Sequence, residues 1–217
     1  KAQVTGKLRY KSVNISDYPA VGDFVMVDEN KGNPVIHHVL SRKSAFIRKA
    51  AGTSNKDQVV AANVDTVFIC MSLNKDFNLR RLERYIAIGW DSGALPVVVL
   101  TKSDLCSNID EILNELRDVA LELDILITSS KAEDYASLKK YIKLGKTVAF
   151  IGSSGVGKTT LINKLMGRDI LATGEIRKDD RGRHTTSKRE LILLPEGGMV
   201  IDTPGMREIG IESADFS

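Results

Sequence analysis

A chain of 217 residues, 42% apolar and 27% charged, can bury a full core as one large domain or two modest ones. No stretch approaches the apolar run that a membrane helix needs, and no secretory signal stands at the start, although Lys1 is not an initiator. Two cysteines, Cys70 and Cys106, without Cys or His neighbours, argue against a structural zinc site or a disulfide framework and suit reduced thiols in a cytosolic protein.

The net charge of +3 is unevenly placed. Residues 1–49 carry nine Lys or Arg against four Asp or Glu, and the remainder 22 against 24. That basic segment faces either a polyanion, RNA being the obvious one, or only water through a lysine-rich surface. Its pattern is of short alternating strands broken by Gly and Asp: Val4 to Leu8, Ser12 to Ile15, Asp23 to Asp28 and Val35 to Leu40. This predicts a small antiparallel barrel or sheet, an architecture shared by oligonucleotide-binding (OB) folds and by barrels with other roles. The turn-forming stretch 28–34 should join the last two strands as a hairpin.

Ala50 to Val60, polar and small, reads as a linker, so the expected limits are an OB-like module over 1–49, a linker over 50–60 and a second domain over 61–217. In that second domain the periodicity changes. Val67 to Met71, Pro96 to Leu100, Ile125 to Thr128 and Thr147 to Ile151 read as buried strands. Between them, Leu79 to Trp90, Asp110 to Leu121 and Tyr135 to Leu144 have helical spacing. Strand and helix in alternation predict an α/β domain with a mostly parallel sheet. Glu190 to Leu194 and Met199 to Ile201, joined by Pro195-Glu196-Gly197-Gly198, should form an antiparallel hairpin.

Five motifs carry chemistry. Gly152-Ser153-Ser154-Gly155-Val156-Gly157-Lys158-Thr159 satisfies G-x-x-x-x-G-K-[ST] between an apolar strand and a helix, and with Thr160 is expected to bind the nucleotide phosphates. Glycines let the backbone curl so that its N–H groups face phosphates, at the positive end of a helix. Lys158 is expected at the β- and γ-phosphates and Thr159 on Mg²⁺. This loop leaves the base undecided, because ATPases, small-molecule kinases and GTPases share it.

The base is read elsewhere. Thr101-Lys102-Ser103-Asp104 follows a buried strand, where the Asp104 carboxylate can accept from guanine N1 and N2 while the Lys102 stem packs along the ring. Adenine lacks that donor pair. Ser129-Ser130-Lys131 ends the next strand and resembles the motif whose backbone N–H meets the guanine oxygen. Either motif alone is more often a helix cap; together, at successive strand ends where ligands sit in open α/β sheets, they point to guanine.

Asp202-Thr203-Pro204-Gly205 also ends a strand. Asp202 is expected to hold Mg²⁺ through water, and the Gly205 N–H to meet the γ-phosphate. Met206 stands where Ras-like enzymes place a glutamine that orients the attacking water, so slow intrinsic hydrolysis is expected. Gly182-Arg183-His184-Thr185-Thr186 lies in an aperiodic, charged stretch that suits a first switch. Thr186, with Thr185 as alternative, should close over Mg²⁺; His184 either positions water or is simply solvated.

These motifs stand in rotated order: the guanine loop precedes the phosphate loop, as in a G domain whose ends have been moved. The permuted order, with G-S-S-G-V-G-K and G-R-H-T-T, resembles the circularly permuted small-ribosomal-subunit biogenesis GTPases called RsgA, YjeQ or EngC. The similarity runs from the basic module through Asn63-Val64-Asp65 to Gly205. It implies an OB barrel, a permuted G domain and a C-terminal zinc domain that contacts the ribosome. The chain stops at Ser217, where that zinc domain should begin, so no zinc site is transferred to it. Some related enzymes bind K⁺ through a phosphate-loop Asn; Gly155 stands there, and no such dependence is expected.

The expected function is therefore a cytoplasmic, monomeric GTPase that uses Mg²⁺ with GTP or GDP and serves as a ribosome-dependent switch in late maturation of the small subunit. Its expected partners are that subunit and its rRNA, with no membrane. A nucleotide-gated RNA-binding module with incidental hydrolysis is the alternative. A P-loop kinase would leave the Thr101–Asp104 and Asp202–Gly205 loops unexplained.

Overall fold

The computed structural model describes residues 2–12, 14–28, 33–48, 57–129, 135–167 and 190–202. In chain order these form β1 (Gln3–Val4), α1 (Gly6–Lys11), β2 (Val25–Asp28), β3 (Val35–Val39), β4 (Ala45–Arg48) and β5 (Gln58–Ala62). There follow β6 (Thr66–Ser72), α2 (Leu79–Ser92), β7 (Leu95–Thr101), α3 (Ile109–Val119), β8 (Ile125–Ile127) and α4 (Ala136–Lys139). The last are β9 (Thr147–Ile151), α5 (Lys158–Met166), β10 (Glu190–Leu193) and β11 (Met199–Asp202). None of the described helices is long and apolar enough to cross a membrane.

A six-stranded sheet in the order β10-β11-β9-β6-β7-β8 organises the larger part. All its pairings are parallel except the hairpin β10–β11. Its central strands read as unbroken apolar runs because both faces are covered. Alternate residues go to opposite faces: Val67, Ile69 and Met71 of β6 pack with Leu82 and Tyr85 of α2 and Leu116 of α3. Phe68 and Cys70 pack with Leu161, Ile162 and Leu165 of α5 and with Leu138 of α4. Burial pushes the Cys70 thiol up to about 12, so it serves as a small apolar group.

The expected strands and hairpin of this part stand where the periodicity put them. One helix is shorter: of Tyr135 to Leu144 only Ala136–Lys139 is α-helical. Beyond it the N–H groups of Tyr141 and Ile142 reach back three residues rather than four, to Leu138 and Lys139. The chain thus tightens into successive turns before β9.

The N-terminal part departs further. Val4 to Leu8 is not a strand: after two residues paired in parallel with β3, Thr5 caps α1, its Oγ1 accepting the Leu8 N–H at 3.1 Å. The expected strand Ser12 to Ile15 includes Val13, which lies outside the described residues, and its last residue opens a 3₁₀ turn over Ile15–Asp17. Period-two alternation in so short a stretch was imitated by a six-residue helix with no buried residue. β2 and β3 do pair antiparallel, as expected of the hairpin, in a sheet of order β1-β3-β2. A further antiparallel pair, β4–β5, takes up residues 58–60 of the expected linker.

Arg42 is the internal brace of this module. It grips Asp23 with Nε and Nη2, both at 2.8 Å, and donates to the Ser16 and Tyr18 carbonyls. The Asp23 side chain is 1% exposed, and this bidentate pairing raises the Arg42 pKa. Asn63 joins the module to the large sheet: Oδ1 accepts the Lys43 N–H and Nδ2 donates to the Gly22 carbonyl, each at 2.9 Å. Gly22, at φ +90°, comes so close to β5 that a Cβ would lie 2.0 Å from the Ala62 carbonyl oxygen. The Asn63-Val64-Asp65 triplet is thus a structural joint.

Candidate nucleotide-binding site

β7 lies on one side of β6 and β9 on the other, so the direction of strand addition reverses at the β6–β9 boundary. Open α/β sheets bind ligands outside the carboxyl ends of strands at such a switch point. The phosphate loop leaves β9 there and runs into α5. Gly152, at φ +141°, crosses β6 so closely that a Cβ would meet the Cys70 carbonyl oxygen at 2.4 Å. Gly155 and Gly157 also have positive φ, 75° and 103°. The loop therefore needs glycine for its path at both ends, with Ser154 and Gly155 exposed between.

The loop is tied to its surroundings at its carbonyls. Lys158, 8% exposed, donates through Nζ to the Gly152 and Ser153 carbonyls at 2.7 and 2.6 Å. Buried Thr101, last residue of β7, donates through Oγ1 to the Val156 carbonyl at 2.5 Å. A hydroxyl thus suffices where an asparagine is commoner, and the guanine and phosphate loops are physically joined. Val156 itself is 2% exposed, its side chain spent on the core.

The Thr101–Asp104 segment bends sharply. Lys102 takes the left-handed region (φ 57°, ψ 38°) and opens a 3₁₀ turn over Ser103–Leu105, while the Ser103 N–H donates to the Thr128 carbonyl. Ser129 Oγ donates to Asp104 Oδ1 at 2.9 Å, which aims the carboxylate. Thr101, Lys102, Asp104, Ser129, Gly157 and Thr160 all border one cavity of about 360 Å³, completed by Leu105, Thr128, Tyr135 and Leu161. A lining of both polar and apolar side chains suits a flat heterocycle with edge donors.

Tyr135 was missed by sequence reading. It is 7% exposed, donates through its hydroxyl to the Ser129 carbonyl at 3.2 Å, and burial raises its pKa. Its only sequence signal was an aromatic at a helix start, which reads as core.

Asp202 ends β11, next to β9, whose loop leads to Thr159 in the first turn of α5. A hydroxyl and a carboxylate are hard oxygen donors, and Mg²⁺ takes one or two such protein ligands with phosphate oxygens. The residues fit that ion. Ser130, Lys131, His184, Thr185, Thr186 and Gly205 lie outside the described residues.

The RsgA GTPase family model matches residues 39–212. The chain belongs to that family. "Small ribosomal subunit biogenesis GTPase RsgA 2" of Lactiplantibacillus plantarum is 49% identical over 218 residues, covering 100% of this chain and 62% of the relative. A Methanosarcina acetivorans RsgA is 43% identical over 213 residues, 96% of this chain and 57% of its own. This RsgA-family chain thus spans about three-fifths of the length of the curated relatives it matches. Among solved structures, YjeQ from Thermotoga maritima aligns over 96% of this chain and 67% of its own, at TM-score 0.70 and 26% identity. YloQ, titled a circularly permuted GTPase, aligns over 94% of this chain and 61% of its own, at TM-score 0.62 and 25% identity. The family's permuted P-loop G domain, preceded by a small β-rich module, is therefore the fold of this chain.

Proposed function

We propose that this chain binds GTP in the cleft at the carboxyl ends of β6, β7 and β9 and hydrolyses it to GDP and phosphate. One observation carries the reading: residues from three motifs spread over some sixty positions, Thr101–Asp104, Ser129 and Gly157–Thr160, border a single cavity. Asp104, aimed by Ser129, accepts from guanine N1 and N2. The backbone N–H groups of Gly152–Lys158 cradle the phosphates, with Lys158 exchanging its loop carbonyls for phosphate oxygens. Thr159 and Asp202 would hold Mg²⁺, which neutralises charge on the β- and γ-phosphates when bound. His184 as the water-positioning group, Gly205 at the γ-phosphate, Thr186 or Thr185 on the ion, and Ser130-Lys131 at the base complete the assignment.

The cell-level role proposed is a cytoplasmic, ribosome-dependent switch in maturation of the small subunit, acting as a monomer. The relatives named as small-ribosomal-subunit biogenesis GTPases support it. Residues 1–49, with their excess of positive charge, form the rRNA-facing module, and 61–217 the nucleotide domain. GTP hydrolysis by the full-length protein, with ATP as control, tests this with and without purified small subunits. Slow GTP-only turnover that rises steeply with subunits is expected. Turnover indifferent to subunits would discard the ribosomal partner, and equal turnover of ATP would discard the guanine assignment.

A further inference from the structure

The phosphate loop has a third fastening, which the binding chemistry above does not use. Arg81, in the first turn of α2, donates through Nη1 to Ser153 Oγ at 2.7 Å and through Nη2 to the Asp76 carbonyl at 2.9 Å. The Asn78 side chain caps the helix and accepts the Arg81 N–H at 2.9 Å, so the origin of the long side chain is fixed. Both acceptors of the guanidinium are neutral. Among the described residues it has no carboxylate partner, and Ser153 Oγ has no partner but Arg81.

Two consequences follow from elementary physics. A loop with three glycines at positive φ has many competing conformations, and pinning its second residue from a rigid helix keeps it near the shape that receives phosphates. A half-buried cation without a described counter-charge, one hydroxyl away from an anion-binding loop, also attracts the anion over a distance at which solvent screens it only partly.

We propose that Arg81 is a positioning residue for the nucleotide phosphates: through the Ser153 hydroxyl it fixes the entry of the phosphate loop to α2, and its charge adds to the pull on the phosphate groups. This rests on the nucleotide-binding reading above. It assigns to α2, outside every nucleotide motif, a direct hold on the loop.

The test is titration of the full-length protein with fluorescent GDP, at low and high salt, for wild type, R81A, R81K, S153A and R81A/S153A. R81A should weaken binding about tenfold, the worth of one charge-assisted hydrogen bond. The double variant should bind no more weakly than R81A, because one interaction is removed twice. R81K keeps the charge without the two-armed fork, and should preserve the salt dependence that R81A loses while recovering only part of the affinity. If Arg81 merely anchored α2, R81A and S153A would act additively and the salt slope would not move; either result overturns the proposal. S153A leaves the helix untouched, so a folding defect in R81A does not shield the idea: unchanged GDP affinity in S153A overturns coupling through that hydroxyl. Wild-type protein that takes up no guanine nucleotide would overturn the functional reading and this inference with it.

Discussion

Asp104 is held so that its role can be inverted. Ser129 Oγ donates to Oδ1 at 2.9 Å, and the carboxylate borders the cavity proposed for the base. In D104N the carboxamide oxygen can keep the serine, and the new NH₂ donates where guanine also donates. GTP affinity should fall roughly ten- to hundredfold, the usual cost of losing a hydrogen bond to a charged group. Xanthosine triphosphate, with an acceptor oxygen in place of the guanine amine, should gain; competition of the two nucleotides against a fluorescent GDP measures both. Tyr135→Phe probes the same loop from behind. Losing the bond to the Ser129 carbonyl should weaken GDP by about 0.5–1.5 kcal/mol, and an unaltered dissociation rate would show that the hydroxyl does not hold the loop. Asp104 was legible because its neighbours form a motif. Tyr135 was not, since its contribution depends on which carbonyl its hydroxyl meets, and that partner lies six positions back across residues no periodicity connects.

At the level of elements, the close crossing of the phosphate loop over β6 limits what the loop tolerates. Gly152→Ala would place a methyl group 2.4 Å from the Cys70 backbone oxygen, at a φ that side chains rarely adopt. Neither atom can step aside without shifting a central strand. A loss of about 1–3 kcal/mol in stability, together with loss of nucleotide binding, is expected from thermal unfolding with and without GDP. Gly155→Ala meets nothing within 4 Å and should cost only its backbone strain, so equal losses in the two variants would refute the crossing argument. The crossing itself could not be read, but its strands could. β6, β7 and β9 are buried on both faces, and a continuous apolar run between glycines and polar residues marks them. α1 shows the opposite limit: with no residue buried, nothing selects one face, and the Thr5 cap decides in favour of helix what alternation suggested was strand. Tyr135 to Leu144 had helical spacing, yet the i+3 bonds after Lys139 wind it more tightly than a pattern of apolar positions can distinguish.

Across the whole molecule, the two polar residues of the joint between module and sheet act on different parts. Asn63 sits at φ 55° with both ends of its amide used, so N63A would leave the Gly22 carbonyl and the Lys43 N–H unsatisfied. About 1–3 kcal/mol per orphaned group predicts that hydrogen exchange quickens in β2–β3 while the central strands stay protected. Asp65 ties the amino ends of β6, β7 and β9. Its carboxylate accepts from the Thr147 N–H at 2.9 Å and from Lys146 Nζ at 2.8 Å, and its main chain bonds Thr147 and Leu95. Partial burial works to raise its pKa, but the Lys146 ammonium and the Thr147 N–H outweigh that and hold it below the usual carboxylate range. A depressed folded-state pKa means that the unfolded chain takes up this proton first. The contribution is therefore complete above the ordinary carboxylate value, about 4, and is lost as pH falls through the lower folded value. Urea unfolding from pH 7 down to pH 3 should show midpoints that fall with acid, and D65N should start lower at pH 7 and fall less steeply. Parallel curves for the two proteins would mean that other carboxylates govern the acid response and that the tie at the base of the sheet is held by its backbone bonds alone.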